Sequence, residues 1–113
     1  MKNEHRLKKN EDFQYVFQHG YSVANRQFVL YQVKKEDQQD IRIGLSVSKK
    51  LGNAVVRNRV KRLMKEALRP QTESLYQNRD VVIIARKPVT EMSLTEMEKS
   101  LQHVLKVAKL FHR

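Results

Sequence analysis

The stretch from Ile41 to Arg69 constrains the fold more than any other part of the 113-residue chain. Ile41, Ile43, Leu45 and Val47 alternate with Arg42, Gly44, Ser46 and Ser48, the period of a strand that buries one face and leaves a small, polar face open. After the basic loop Lys49-Lys50-Leu51-Gly52 the period changes. Asn53 stands where a helix cap belongs, and the spacing predicts a helix from Ala54 to about Arg69, stopped by Pro70. At about 100° per residue, Val56, Val60, Leu63, Met64 and Ala67 form one apolar stripe. Arg57, Asn58, Lys61, Arg62, Lys65 and Arg69 share the polar arc opposite it. Such a strand and helix must bury their apolar sides against a common core, which leaves a row of cations outside.

The charge is concentrated there. Residues 42–69 hold nine bases against Glu66 alone, a net +8 within a chain total of +11. Arg57/Lys61, Lys61/Lys65 and Lys65/Arg69 are like-charged i,i+4 pairs, each costing a few tenths of a kcal/mol in an isolated helix, and only Arg62/Glu66 is opposed. A merely solvated face has no use for that repulsion, whereas a helix lying along phosphates does. A polyanionic partner follows, with nucleic acid first. With 40% hydrophobic residues the chain can still build a core. The absence of cysteine excludes disulfides, a thiolate nucleophile, iron–sulfur clusters and Cys-based zinc sites, and fits a reducing cytoplasm. The longest apolar run, Val81-Val82-Ile83-Ile84-Ala85, is far short of the roughly 20 residues of a membrane span, and the N-terminus lacks a signal-peptide core. A soluble cytoplasmic protein with no membrane partner is expected.

The remaining elements read in order. Asn10 is placed as an N-cap, and Phe13, Val16 and Phe17 recur at helical spacing before Gly20. Tyr21 to Ala24 is a brief extended piece, Phe28 to Val33 is a strand, and Lys34 to Asp40 reads as a hairpin-like loop. Asp80 to Arg86 predicts a strand buried on both faces. Ser93-Leu94-Thr95-Glu96 is a capping box that opens a last helix with the stripe Met97, Leu101, Val104, Leu105 and Ala108. The order α-β-β-β-α-β-α predicts an α+β fold: a single sheet of about four strands with helices packed on it. Residues 1–113 are expected to form one RNA-binding domain, with residues 1–9 a basic, flexible tail.

Catalytic chemistry is sparse. His5, His19, His103 and His112 show no metal-ligand spacing, the twelve carboxylates form no two-metal cluster, and Gly20, Gly44 and Gly52 are isolated. No metal site is expected in the protein, and reactive groups must come from elsewhere. A DNA-reading helix-turn-helix is disfavoured because no helix joined by a short turn precedes the basic one, so no DNA partner is expected.

The segment from Asn53 to Glu66, with Arg57-Asn58-x-x-Lys61-Arg62 after the Ser48-Lys49-Lys50 loop, resembles the signature helix of the bacterial ribonuclease P protein subunit. Leu7 to Phe13 with Phe17, Phe28 to Tyr31, Gly44 to Lys50, and Ile83 to Arg86 resemble the family's other blocks, so the likeness covers nearly the whole chain in order. The resemblance implies the protein component of an RNA-based endonuclease, a hydrolase that removes the 5′ leader of precursor tRNA. The catalytic RNA subunit is its cofactor and carries the magnesium ions, and precursor tRNA is a further partner. It further implies that Arg57, Asn58, Lys61 and Arg62, with Arg59, Lys65, Lys49 and Lys50 around them, contact the catalytic RNA. Phe13, Phe17, Val29 and Tyr31 would line a cleft for the single-stranded leader, to which the strand periodicity adds Arg42, Ser46 and Ser48 as small polar or basic neighbours of stacked bases. Lys65 departs from the pattern, which often has arginine there; lysine keeps the charge and loses bidentate phosphate recognition. A left-handed βαβ crossover around the basic helix is also implied, against the usual handedness. The same composition would suit a ribosome-associated or general RNA-binding structural protein, which is the alternative.

Overall fold

The computed structural model describes residues 6–112. Three helices, α1 (Asn10–His19), α2 (Ala54–Leu68) and α3 (Leu94–Val107), accompany four strands, β1 (Tyr21–Ala24), β2 (Phe28–Lys34), β3 (Arg42–Ser46) and β4 (Arg79–Ala85). The order matches the sequence pattern. Short 3₁₀ turns at Lys49–Leu51, Arg69–Ser74 and Lys87–Glu91 link the larger elements.

The strands form one mixed sheet in the order β1-β2-β4-β3, with β2 antiparallel and β3 parallel to β4. Residues 34–40 are therefore not a hairpin loop: β4 lies between β2 and β3 and takes the hydrogen bonds that a hairpin would have made. β4 goes to the centre because Val81 to Ala85 is apolar on both sides, whereas β3 offers Arg42, Gly44 and Ser46 on one side.

Each face of the sheet is covered differently. Phe28, Leu30, Ile43, Val81, Ile83 and Ala85 point into the main core, where α2 supplies Val60, Met64, Ala67 and Leu68, and α3 supplies Met97, Leu101, Val104 and Leu105. Each fully buried Val, Leu, Ile, Phe or Met among them contributes about 1.5–3 kcal/mol. Asn53 caps α2 by accepting from the Val56 N–H at 3.0 Å, and α3 opens on the expected capping box between Ser93 and Glu96. On the opposite face α1 covers the sheet through Val16, which packs with Leu7 of the preceding segment against Val82, flanked by Phe13, Tyr31, Val33 and Ile84.

Backbone chirality fixes the hand of the β3–α2–β4 passage. Arg86 N–H donates to the Gln27 carbonyl at 2.9 Å and Lys35 N–H to that of Asn78 at 2.8 Å. By this register Val82 and its alternate neighbours turn their backbone groups toward β2 while their side chains face α1. For an L-residue on an upward strand with its side chain toward the viewer, the N–H and C=O point right. β2 thus lies right of β4, β3 lies left, and α2 lies behind. The crossover is left-handed, an exception to the rule for parallel pairs.

Three boundaries differ from the sequence pattern. α1 starts at Asn10 itself, with Lys9 in the cap position and no side-chain cap, because Lys9 is already extended and Asn10 already helical. α2 yields to a 3₁₀ turn at Arg69, since Pro70 fits an N-terminal turn position but cannot donate within an α-helix. Of the expected tail, residues 1–5 lie outside the described residues. Arg6 bridges to Ile43, and Leu7, buried, donates its N–H to the Ile43 carbonyl at 3.0 Å, so this part belongs to the sheet edge.

Candidate nucleic-acid interface

α2 carries its cations on the side away from the core. Asn58 and Arg62 are exposed, Arg57, Lys61 and Lys65 are half-buried, and Lys49 and Lys50 are exposed on the turn that leads in. Gly52 makes this approach possible: its φ of 148° is open to glycine but strained for other residues, and an added Cβ would sit 3.1 Å from Val56. The Gly52 carbonyl accepts from Arg57 Nε at 3.2 Å, which fixes the first arginine of the helix.

Two side chains of α2 have partners other than the sequence pattern suggests. Arg59 lies on the other flank, donating to the carbonyls of Thr90 at 3.2 Å and Met92 at 3.5 Å, so it ties α2 to the 3₁₀ turn before α3. Glu66 pairs with Arg69 at 3.1 Å rather than with Arg62, because the last turn brings Arg69 within reach at i,i+3. Among the described residues Arg62 forms no ion pair. A residue outside the predicted set joins the surface: Arg6, with Lys61 and Lys65, surrounds a hollow of about 90 Å³ at the β3 edge. Burial, and then the charges of Arg6 and Lys61, push the Lys65 ammonium below the ordinary lysine value. Among the described residues no carboxylate lines this hollow, so three cations converge there unopposed, a geometry that suits an anion.

The second surface lies between α1 and the open sheet face. Gly44 has no side chain, and the Phe13 ring occupies that space: a Cβ there would fall 2.5 Å from Phe13 Cζ. Phe13, Phe17 and Ser46, with Lys8, Asn10, Gln14, Leu45 and Val47, line a groove of about 480 Å³. Phe17 is 40% exposed and stands edge-on to Tyr31 with 5.1 Å between ring centroids. Val29, half-buried, shares the sheet face of Tyr31 beside Ile84. Ser48 is exposed beyond the end of β3, at the start of the basic turn. Arg42 is directed away from the groove: its guanidinium donates to Asp80 through Nε at 2.9 Å and Nη2 at 2.7 Å, and lies 3.8 Å from Asp12. Asp80, fully buried, also accepts from Gln38 at 2.9 Å and faces Lys35 at 3.4 Å. Burial would raise its carboxyl pKa, but the bonds from Arg42 and Gln38 and the charges of Arg42 and Lys35 outweigh it and hold it below the usual carboxylate range.

Lys8, Asn10 and Gln14 lie outside the residues to which the sequence pattern points, although Asn10, Phe13, Gln14 and Phe17 share one helical face at i, i+3, i+4 and i+7. That spacing was the available signal. Arg6 had none, because its place depends on the pairing of the N-terminal segment with β3. Among the described residues no three His, Asp or Glu side chains group to hold a metal ion, and no helix is long and apolar enough to cross a membrane.

These features define a class: a small α+β protein with a left-handed crossover that displays a cationic helix on one side of its sheet and an aromatic groove on the other. The family model for ribonuclease P matches residues 1–109. A ribonuclease P protein component from Bacillus cereus (strain B4264) is 58% identical over 106 residues, which cover 94% of this chain and 92% of the relative. The structure of the Staphylococcus aureus RNase P protein superposes with a TM-score of 0.88 at 45% identity, covering 96% of this chain and 98% of that one. The RNase P protein from Thermotoga maritima gives 0.81 at 29% identity, over 90% and 96% of the two chains. The chain belongs to the ribonuclease P protein family.

Proposed function

We propose that this chain, as the protein component of the tRNA-processing ribonucleoprotein, holds the catalytic RNA on α2 and the 5′ leader of precursor tRNA in the groove under α1. The observation that carries the reading is the pairing of two unlike surfaces on opposite sides of one sheet. Fixed Arg, Lys and Asn side chains suit the phosphates of a folded RNA. Exposed aromatic edges beside small polar groups suit unpaired bases, each stack being worth about 1–3 kcal/mol.

The chain's part in the reaction is positional. Arg57, Asn58, Lys61, Arg62 and Lys65, with Lys49, Lys50 and Arg6, neutralise phosphates and so reduce repulsion between the catalytic RNA and the precursor. Phe13, Phe17, Val29, Tyr31 and Ser46 hold the leader, with Ser48 at the rim. The hydrolytic groups and the magnesium ions belong to the RNA. The setting is the bacterial cytoplasm.

Precursor tRNA is the substrate for the deciding experiment. The purified protein alone is expected to leave it intact, and addition of the cognate RNA at low magnesium is expected to restore cleavage. Cleavage without RNA that a point substitution in this chain abolishes would overturn the assignment.

A further inference from the structure

A second positive surface lies on the exposed side of α3, opposite its buried stripe, and shares no lining residue with the Arg6–Lys61–Lys65 hollow. Lys99, Gln102, His103, Lys106, Lys109 and Phe111 line a groove of about 770 Å³. Lys99, His103 and Lys106 fall at i, i+4 and i+7, so they form one stripe on the helix. Among the described residues no carboxylate lines it. A smaller hollow continues past Lys99 and His103 and includes Glu96, whose carboxylate is taken up by the Ser93 backbone N–H at 2.9 Å.

Lys109 is the unexpected residue. It ends α3 in the left-handed conformation, with φ of 58°, while its N–H donates to Lys106 and the N–H of Leu110 donates to Leu105 at 3.1 Å. Helices that end with this bonding pattern favour glycine at the left-handed position, because a Cβ there is strained. Here a lysine occupies it, and its side chain joins the groove wall. A costly backbone state that adds one more cation to a stripe of cations is hard to explain by folding alone.

We propose that the α3 groove seats a single-stranded RNA segment, separately from the RNA held by α2. Lys99, Lys106 and Lys109 would meet successive phosphates, and the Phe111 and His103 rings offer faces for a base. An acidic protein segment would match the charge but would make no stack on the partly exposed Phe111 ring or the exposed His103 ring.

The test is a titration of the nitrogen-15-labelled full chain with unstructured oligouridine, followed residue by residue. Amides of residues 99–111 should shift. In Lys99→Ala/Lys106→Ala the dissociation constant read at those amides should rise about fivefold or more, while shifts at α1 and β2 persist. Lys109→Gly gives an independent arm: it should raise the thermal midpoint by a few degrees yet weaken binding at the same amides. No shift in the groove, shifts that survive all three substitutions, or tighter binding of poly-glutamate than of oligouridine at these amides would overturn the proposal.

Discussion

At the scale of single residues, Asp80 and Gly44 govern what the sheet can present. Asp80 holds Arg42 and Lys35 from a fully buried position, and removing one partner of such a group leaves an uncompensated charge. Asp80→Asn should cost about 3 kcal/mol at pH 7, read from denaturant unfolding. Because the folded pKa lies below the unfolded carboxylate value of about 3.9, the stabilisation is complete above that value and is lost as pH falls through the folded pKa. The gap between wild type and variant should therefore close in strong acid; a gap that stays constant from pH 7 downward would remove Asp80 from the explanation of acid unfolding. Gly44→Ala forces the Phe13 ring from its seat, and overpacking of this kind costs about 1–3 kcal/mol. Leader affinity should fall with it. Tyr31→Ala takes away the ring against which Phe17 stands, and should weaken precursor tRNA binding by roughly 5- to 150-fold while mature tRNA binding hardly changes. Equal losses for the two RNAs, measured with reconstituted holoenzyme, would show that Tyr31 serves the fold instead.

Among the elements, α2 separates cations that act outward from cations that hold the helix in place. Arg62→Ala should leave the thermal midpoint unchanged or slightly raised, since Arg62 is exposed, Glu66 pairs with Arg69 instead, and Arg59 and Lys65 at i,i+3 repel it, while affinity for the catalytic RNA falls. Arg59→Ala should do the reverse: it loses two carbonyl contacts to the turn before α3 and should lower the midpoint with a smaller effect on RNA binding. Melting curves paired with binding isotherms for the two variants separate the roles. This contrast was only partly legible in the sequence. Helix periodicity located α2, its Asn53 cap and its polar arc, because those depend on neighbours three and four residues away. It placed Arg59 off the arc but gave no partner for it, because Thr90 and Met92 come from 31 and 33 residues further on. The same limit applies to Arg42. Strand alternation put it on the open face, but which way the guanidinium turns was decided by Asp80 on the neighbouring strand, 38 residues later. Likewise the run 34–40 resembles a hairpin loop locally, and only the arrival of β4 between its flanking strands shows otherwise.

For the molecule as a whole, a net charge of +11 on 113 residues makes the folded state repel itself. Raising salt from 0.01 to 0.15 M shortens the screening length from about 30 to about 8 Å, so the thermal midpoint should rise over that range while RNA affinity falls. A midpoint insensitive to salt would mean that the basic surfaces are too far apart to interact. The strand order has another consequence, which concerns how the protein is made. β4 is an interior strand and the last of the four to leave the ribosome, so a nascent chain that ends before Arg79 holds β2 and β3 with a gap between them. In that interval the cationic helix has already been synthesised but has no finished sheet to lie on. The sheet thus cannot be completed from its N-terminus forward, and the cationic helix is kept from its final geometry until Arg79–Ala85 has been made.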